Sequence, residues 1–263
     1  MVAAEIRKTA RESLSGKWGK AALMTLVFFL IEFGISFVLG LFQDIPVLSI
    51  IASIVNVAIT TPLSFGLLVS FIKLKRDEDV TYTSFFNDAF SSFGRVWGVV
   101  GNIILKLLPL IILLIVFIVM AVIGMGGALS SSILSTSSQT SSFSALGIIG
   151  FIGYIICIIA LIPKSYLYSL SFYILHDNPQ MSTRDIVEKS ETLMRGNRWN
   201  FFWLSLTFIG WAILSVFTLY IGLLWLYPYI MISAVVFYES RIADTDNNKE
   251  EIKENNDNNP IQE

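Results

Sequence analysis

The sequence contains one cysteine, Cys157, and one histidine, His176, in 263 residues. A single cysteine excludes an internal disulfide and a thiolate metal cluster. With neither a second histidine nor a neighbouring cysteine, His176 is interpreted as a polar cap at the membrane interface rather than as a catalytic or metal-binding residue. The sequence also lacks nucleotide-binding loops, zinc-binding helix motifs and nucleophile elbows. We therefore expect no enzyme activity, no metal and no cofactor.

Charge is scarce as well. Charged residues make up 14% of the chain, hydrophobic residues 54%, and the mean hydropathy is +0.69. This balance lies outside the range that is usual for soluble proteins. The charged residues are collected in a few short stretches between long apolar runs. The lipid bilayer is therefore the expected surrounding of the chain, and nucleic acid is not an expected partner.

Six apolar runs are long enough to cross a hydrocarbon core of roughly 30 Å at about 1.5 Å per residue. They cover residues 20–43, 47–73, 99–123, 146–174, 201–219 and 221–239. The last two are expected to be separated by a tight turn near 218–222, because one helix through both would be too long for a single crossing. The first run is too long for the core of a signal peptide, so we interpret it as a retained membrane helix.

The basic residues predict the orientation of these spans. Sixteen of the 18 lysines and arginines lie on one predicted side, in the stretches 1–20, 73–98, 175–200 and 241–253. The three connections on the other side contain none. By the positive-inside rule the basic side is cytoplasmic, so both termini are expected in the cytoplasm.

Two segments are too polar to cross a membrane. The uncharged, serine-rich segment 130–144 is expected to form an external loop, either a solvated linker or a site of ligand capture. Residues 241–263 are acidic and almost free of apolar side chains, which is typical of a disordered cytoplasmic tail. The expected domains are thus a six-span membrane domain over 1–240 and this tail over 241–263.

An internal threefold repeat is indicated by two recurring patterns. A glycine, a basic residue and a tryptophan precede three of the spans, and a proline stands nine residues before a phenylalanine in three return helices. The tryptophans are Trp18, Trp97 and Trp199, after Gly16, Gly94 and Gly196; the prolines are Pro62, Pro163 and Pro228, before Phe71, Phe172 and Phe237.

Each repeat unit is interpreted as a cytoplasmic amphipathic helix ended by glycine, an interfacial tryptophan anchor, and a two-span hairpin kinked at proline. The units cover about 1–75, 76–176 and 177–240. The fold class is thus an all-α membrane protein of three repeated hairpins. The alternative is that glycine, basic residues and tryptophan are simply common at cytoplasmic boundaries, and that proline is tolerated in membrane helices.

Segments 3–15, 81–93 and 180–195 carry apolar residues at helical spacing. Such helices are expected either to lie in the inner headgroup plane or to dock a soluble partner protein. In the third segment, Ser182 or Thr183 after Pro179 predicts the helix start.

Glu32 and Lys164 are the ionisable residues expected deepest in the membrane, some 15–18 Å from the inner boundary at about 1.5 Å per residue. A pair between them would serve as a structural clamp, as a proton or ion coupling element, or as a counter-charge for a substrate. Alternatively, Glu32 is protonated and Lys164 extends its stem toward the interface. All of these interpretations stay open from the sequence.

The opening residues 10–18, Ala-Arg-Glu-Ser-Leu-Ser-Gly-Lys-Trp, resemble a family of bacterial membrane proteins catalogued as domain-of-unknown-function family 975. The resemblance extends through residues 196–199, 208–211 and 225–229 of the last hairpin and covers nearly the whole chain. It implies a bacterial, chiefly Gram-positive, plasma-membrane protein. No activity is established for that family, so the resemblance carries no catalytic residues.

Three functions are compatible with these features. The leading hypothesis is a non-enzymatic envelope-homeostasis or scaffolding factor that acts through its cytoplasmic helices and a membrane or cytoplasmic protein partner. The second is a transporter or permease for a small or lipid-like solute, suggested by the prolines in the helices and by Glu32 and Lys164. The third is protection against membrane-active peptides.

Overall fold

The computed structural model describes the backbone of residues 2–42, 44–133 and 137–258, and the side chains of residues 2–42, 44–127, 145–247 and 250. Regular structure in these ranges is entirely helical. In chain order the helices are α1 (Ala3–Leu14), α2 (Trp18–Gly40), α3 (Pro46–Lys75), α4 (Ser84–Ser91), α5 (Phe93–Ile133), α6 (Ser137–Ser165), α7 (Ser171–Asp177), α8 (Thr183–Met194), α9 (Arg198–Leu206), α10 (Ile209–Phe217) and α11 (Leu223–Asn258), with a 3-10 turn Tyr166–Tyr168 before α7.

Six helical segments of the described chain are long and apolar enough to cross a membrane. They are Trp18–Gly40, Pro46–Lys75, Phe93–Gly127, Ala145–Asp177, Arg198–Phe217 and Leu223–Asn247. The all-helical class is thereby confirmed, and so is the presence of six helices that are long and apolar enough to be spans. The turn between the last two falls where the sequence predicts it, and Leu219 and Tyr220 adopt positive φ angles of 51° and 65° there.

The chain forms two compact units. The first comprises Met1–Val99 and Leu170–Glu263, and the second comprises Val100–Ser169. Of the described helices, the first unit therefore contains nine in full, together with the opening residues of α5. The second contains the remainder of α5, the whole of α6 and the 3-10 turn.

The buried core of the first unit lies toward the basic end of its helices. In α3, Leu67 and Phe71 are completely buried, whereas Ile50 and Ile54 near the other end of the same helix are 62% and 63% exposed. In α11, Phe237 near the basic end is likewise completely buried. The exposed apolar halves suit contact with lipid, which covers such side chains at no hydrophobic cost.

The three short helices α1, α4 and α8 complete this core. α1 packs against α11, α4 against α3, and α8 against α7 and α11. Part of the apolar surface of each of these helices is thus covered by protein. Their buried apolar side chains are Ile6, Ala10 and Leu14 in α1, Phe85 and Ala89 in α4, and Ile186, Val187, Leu193 and Met194 in α8.

Local signals explain the ends of two of these helices. α1 and α8 are each followed by a glycine with positive φ, at Gly16 (73°) and Gly196 (83°). Glycine adopts this conformation without a Cβ penalty. The side chain of Ser182 caps α8 by accepting from the backbone N–H of Asp185 at 3.2 Å, as serine commonly does at a helix start. The glycine stop predicted at Gly94 is wrong, because α4 has ended at Ser91 and Gly94 lies in the first turn of α5.

Two polar segments differ from the expectations for them. α5 continues to Ile133 and α6 begins at Ser137, so the serine-rich segment is helical on both sides of residues 134–136, which lie outside the described residues. α11 continues through the expected disordered tail to Asn258, and residues 259–263 also lie outside the description. Once a helix is nucleated, each further residue adds a hydrogen bond at little cost, even without an apolar face.

In the second unit, α5 and α6 approach closely at small residues. A Cβ added at Gly150 would overlap the backbone of Ala121, and one at Gly124 would overlap the backbone of Gly147. A Cβ at Gly147 would lie 3.1 Å from the backbone nitrogen of Met125. Small residues at a helix contact are typical of membrane proteins, where close backbone approach supplies the packing energy.

Candidate functional site

Charged side chains join the basic ends of α3, α7 and α11. Arg76 donates from both terminal nitrogens to Asp177, at 2.7 Å and 2.9 Å, and the hydroxyl of Tyr238 donates to the same carboxylate at 2.9 Å. The Nε of Arg76 also donates to Glu239 at 3.4 Å, and Lys75 pairs with Glu239 as well. We call Lys75, Arg76, Asp177, Tyr238 and Glu239 the return-helix cluster.

The charged and polar groups of the return-helix cluster are paired with one another by hydrogen bonds and ion pairs. The side chains of Arg76 and Asp177 are 32% and 24% exposed, so the pair is only partly screened by solvent. The hydrogen bond to Asp177 raises the pKa of Arg76 above its ordinary value. Because Asp177 accepts three hydrogen bonds from charged or hydroxyl donors, the geometry is that of a structural clamp.

Further polar contacts tie the short helices and connecting segments around this cluster. Lys73 of α3 donates to Asp88 of α4 at 2.8 Å and 2.9 Å. Arg95 donates to the carbonyl oxygen of Met181 at 2.7 Å, just before α8. Arg241 of α11 donates to the side chain of Asn197 at 2.9 Å, just before α9. Basic side chains thus link successive helices in the first case and elements 44 or more residues apart in the other two.

The contacts at the start of α2 complete this arrangement. Lys17 donates to the carbonyl oxygen of Leu74 at 2.9 Å and also pairs with Asp77. Leu74 is close to the end of α3, where α-helical carbonyl groups have no partner within the helix. The contact therefore joins the entrance of the first span to the exit of the second.

Glu32 lies in α2, within the first span. Its Oε1 atom is buried and has no hydrogen-bond partner among the described residues. The carboxylate is close enough to Tyr227 of α11 to interact with it electrostatically, and the Tyr227 ring lies 5.5 Å from Phe29 and 6.5 Å from Phe28. Glu32 is therefore placed beside an aromatic cluster of the first unit.

Lys164, its predicted partner, lies in the last turn of α6 in the second unit. The two residues thus belong to different units, and their pairing stays a prediction. Among the described residues, no group of three or more histidine, cysteine, aspartate or glutamate side chains is arranged to hold a metal ion.

The predicted anchors and kinks have different settings. Trp18 is the first residue of α2, Trp97 lies one turn inside α5, and Trp199 near the start of α9 is 55% exposed. Their role as interfacial anchors stays a prediction. Pro62, Pro163 and Pro228 all lie inside helices, namely α3, α6 and α11.

The sequence interpretation missed the return-helix cluster, although a signal for it was present. Arg76 stands fourteen residues after Pro62, and Asp177 stands fourteen residues after Pro163. Residues of opposite charge that lie at the same distance after a proline in two similar segments are candidates for an ion pair. The spacing alone gives no indication that Glu239 and Tyr238 join them.

The six apolar helices, with basic side chains gathered at one end of the first unit, define a multi-pass membrane protein of the all-α class. The chain belongs to the family described as protein of unknown function DUF975, whose model matches residues 1–244. The resemblance seen in the opening residues and in the last hairpin is therefore confirmed. No curated protein and no solved structure gives a significant match.

Proposed function

We propose that this protein is a non-enzymatic scaffolding or envelope-homeostasis factor of the bacterial plasma membrane. The observation that carries the proposal is the packed core at the basic end, where α1, α4 and α8 pack on the spans through buried apolar side chains and an ion pair joins α4 to α3. Its charged groups serve to hold helices together. An assembly of this kind presents a rigid surface at the membrane boundary, as a protein that positions partners requires.

The basic end faces the cytoplasm in this proposal, with both termini on that side. The distribution of lysine and arginine supports this orientation through the positive-inside rule. An impermeant maleimide applied to intact cells should leave Glu188→Cys unlabelled and should label it after the membrane is opened, in a Cys157→Ser background. Labelling of position 188 in intact cells would reverse the orientation.

The proposal includes an origin from three amphipathic-helix-plus-hairpin repeats. The packing order supports it: α4 of the second repeat packs on the return helix of the first, and α8 of the third packs on the last segment of the second. α1 of the first repeat packs on α11 of the third. Each amphipathic helix thus contacts the return helix of the preceding repeat, in cyclic order.

The surface proposed for partner contact includes the outward side of α4 and its flanks. Tyr82, Phe90 and Phe93 are 43%, 60% and 40% exposed there, whereas Phe85 on the opposite side of α4 is completely buried. Clustered exposed aromatic side chains are typical of protein or membrane contact sites. The membrane boundary is the place where a scaffold meets its partners.

Complementation tests the proposal. Loss of the gene should raise sensitivity to envelope stress and alter the membrane complexes that contain this protein, and the wild-type gene should restore both. Phe90→Ser should fail to restore them although the protein accumulates normally, because substitution of an exposed side chain changes stability by only about 0.5 kcal/mol. Phe217→Ser is the matched control, since Phe217 is 80% exposed and is the last residue of α10, outside the surface proposed for partner contact. An unchanged phenotype and unchanged associations after gene loss would contradict the scaffolding function.

A transporter or permease for a small or lipid-like solute is the second candidate, favoured by the unpaired buried oxygen of Glu32. An ionisable group inside a membrane span is costly and commonly belongs to a substrate or ion pathway. Tyr227, which interacts with Glu32, is followed directly by Pro228. A proline in a span removes a backbone hydrogen bond, which permits local bending.

Flux measurements in proteoliposomes test this second candidate. If Glu32 couples transport, Glu32→Gln lowers solute flux to the level of empty vesicles, because the amide cannot take up or release a proton. The matched control is Ser36→Ala, which removes the neighbouring polar group that accepts from Asn56 at 3.3 Å but keeps the carboxylate. A panel of amino acids, peptides and lipids should be used, and equal flux for wild type and Glu32→Gln would remove the coupling role.

A further inference from the structure

A cavity of about 560 Å³ opens between α1, the start of α2, and the last hairpin. It lies entirely within the first unit. We call it the arginine pocket; its principal lining residues are Arg7, Arg11, Trp18, Trp211, Trp225 and Tyr229. Basic side chains form one end of it and aromatic side chains form its walls, a combination that neither the scaffolding nor the transport proposal uses.

Arg7 and Arg11 are four residues apart and therefore lie on the same face of α1. The Nε atom of Arg7 is buried and has no hydrogen-bond partner among the described residues. Neither guanidinium group makes an ion pair with a carboxylate in the part of the chain whose side chains are described. A buried donor without a partner is costly, so this end of the pocket suits an anion.

The walls of the arginine pocket are mostly apolar. The ring of Trp18 lies 6.2 Å from that of Tyr229, whose hydroxyl donates to the backbone oxygen of Arg7 at 3.3 Å. The hydroxyls of Ser215 and Thr218 donate to backbone oxygens of α10 at 2.7 Å and 2.8 Å and so are already satisfied. Among the described residues, no acidic side chain lines the cavity.

The exposed part of the wall extends away from the arginines along α10 and α11. Trp211, Leu214 and Trp225 are about half exposed, at 57%, 53% and 49%. Tyr229, which contacts Arg7, and Trp225 are four residues apart on α11. The aromatic wall therefore continues for about 6 Å beyond the basic end. An occupant must be anionic at one end and apolar along its length.

We propose that the arginine pocket binds an anionic phospholipid of the surrounding membrane. Its phosphate lies between Arg7 and Arg11, and one acyl chain lies against Trp211, Leu214 and Trp225. A free inorganic phosphate would leave the aromatic wall uncovered, and a zwitterionic lipid would bring no net charge to two unpaired arginines. The site is distinct from the surface proposed for partner contact, because that surface lies on α4 and its flanks and none of its residues lines the pocket.

Quenching of tryptophan fluorescence tests the proposal on the full-length protein in lipid nanodiscs. Three of the six tryptophans line the pocket, so a lipid with brominated acyl chains quenches their emission when it occupies the site. Brominated phosphatidylglycerol should reach half-saturation at a mole fraction about thirtyfold below that of brominated phosphatidylcholine, since two basic residues near the surface together contribute about 2 kcal/mol to binding anionic lipid and about 1.4 kcal/mol is a factor of ten.

The variants separate the two arginines from overall charge. Arg7→Gln with Arg11→Gln should abolish the preference for phosphatidylglycerol, whereas Arg7→Lys with Arg11→Lys should retain most of it. Arg184→Gln with Arg195→Gln removes the same charge from exposed positions on and just after α8, outside the pocket, and should leave the preference unchanged. If the double glutamine variant does not fold, Arg11→Gln alone, at an exposed position, should reduce the preference.

Three results would overturn the proposal. The first is equal quenching of the wild type by the two brominated lipids. The second is loss of the preference in the α8 control, which would indicate general charge attraction. The third is displacement of brominated phosphatidylglycerol by an equal concentration of inorganic phosphate, which would indicate a site for a soluble anion.

Discussion

Replacing Gly66 by alanine should destabilise the protein by about 2–3 kcal/mol, although alanine is the better helix former. Gly66 lies in α3, at its contact with α4. A Cβ at this position would overlap the backbone oxygen of Phe85 and would lie 3.0 Å from the Cβ of Ala89. Because the nearest atom belongs to the backbone, rotation of a side chain cannot remove this overlap. Only a movement of α4 away from α3 can do so.

Gly34→Ala in α2 is the control for this substitution. Nothing lies within 4 Å of a Cβ at Gly34. The same change should therefore be neutral there or stabilising by up to about 1 kcal/mol. Unfolding of the purified protein in mixed micelles, followed by fluorescence, measures both variants. Equal stability of Gly66→Ala and the wild type would mean that α4 is not closely packed on α3.

The ion pair between Arg76 and Asp177 should contribute a coupling energy of about 1–2 kcal/mol to folding. Hydrogen bonds to charged groups contribute about 1.5–3 kcal/mol when they are buried. We reduce this range for solvent screening, because the two side chains are 32% and 24% exposed. Asp177→Asn weakens the pair and also the contact with the Tyr238 hydroxyl. Arg76→Gln removes the guanidinium that serves both Asp177 and Glu239.

A double-mutant cycle with these two variants measures the coupling directly. The control is the ion pair between Arg184 and Glu188 on α8. The Nε atom of Arg184 lies 3.1 Å from Oε1 of Glu188, but the two side chains are 78% and 49% exposed. We expect a coupling below about 0.5 kcal/mol for that exposed pair. If the two cycles gave the same value, the return-helix cluster would not hold α3 and α7 together more firmly than an ordinary surface pair.

The location of the core has a consequence for where substitutions are tolerated. Completely buried side chains are concentrated at the basic end of the first unit, whereas large apolar side chains toward the opposite end are exposed. A membrane helix gains no hydrophobic energy by moving an apolar side chain from lipid to protein. Packing and ion pairs at the basic end therefore supply much of the energy that holds these helices in place relative to one another.

Much of the secondary structure could be predicted from individual residues. Continuous apolar runs of sufficient length identify spans, because backbone groups in a bilayer must be satisfied within a helix. Gly16 and Gly196 mark helix ends because each takes a positive φ angle, and Ser182 marks a helix start because its hydroxyl accepts a backbone N–H. Gly94 carries the same sequence signal as Gly16 but lies inside a helix, since a helix also accepts glycine at a small cost.

The candidate site was less predictable. Glu32 could be identified because a carboxylate inside an apolar run is unusual and costly wherever it points. The arginine pocket could not, because Arg7 and Arg11 look like ordinary basic residues on the cytoplasmic side of a first span. Their significance depends on Tyr229 and Trp225, which lie more than two hundred residues away in the sequence and next to them in space.

The sequence by itself determined the all-helical class and the six helices long and apolar enough to span a membrane, and it predicts the concentration of basic residues on one side and the apolar stripes of the three short helices. These are local properties, set by the length of an apolar run or by the spacing of side chains along one helix. The tertiary structure alone decided that the stripe of α1 packs on α11, that Asp177 binds Arg76, and that two arginines border an aromatic cavity. Contacts of this kind depend on which helices become neighbours. An apolar helix face or a charged side chain does not by itself specify which other residue it will contact.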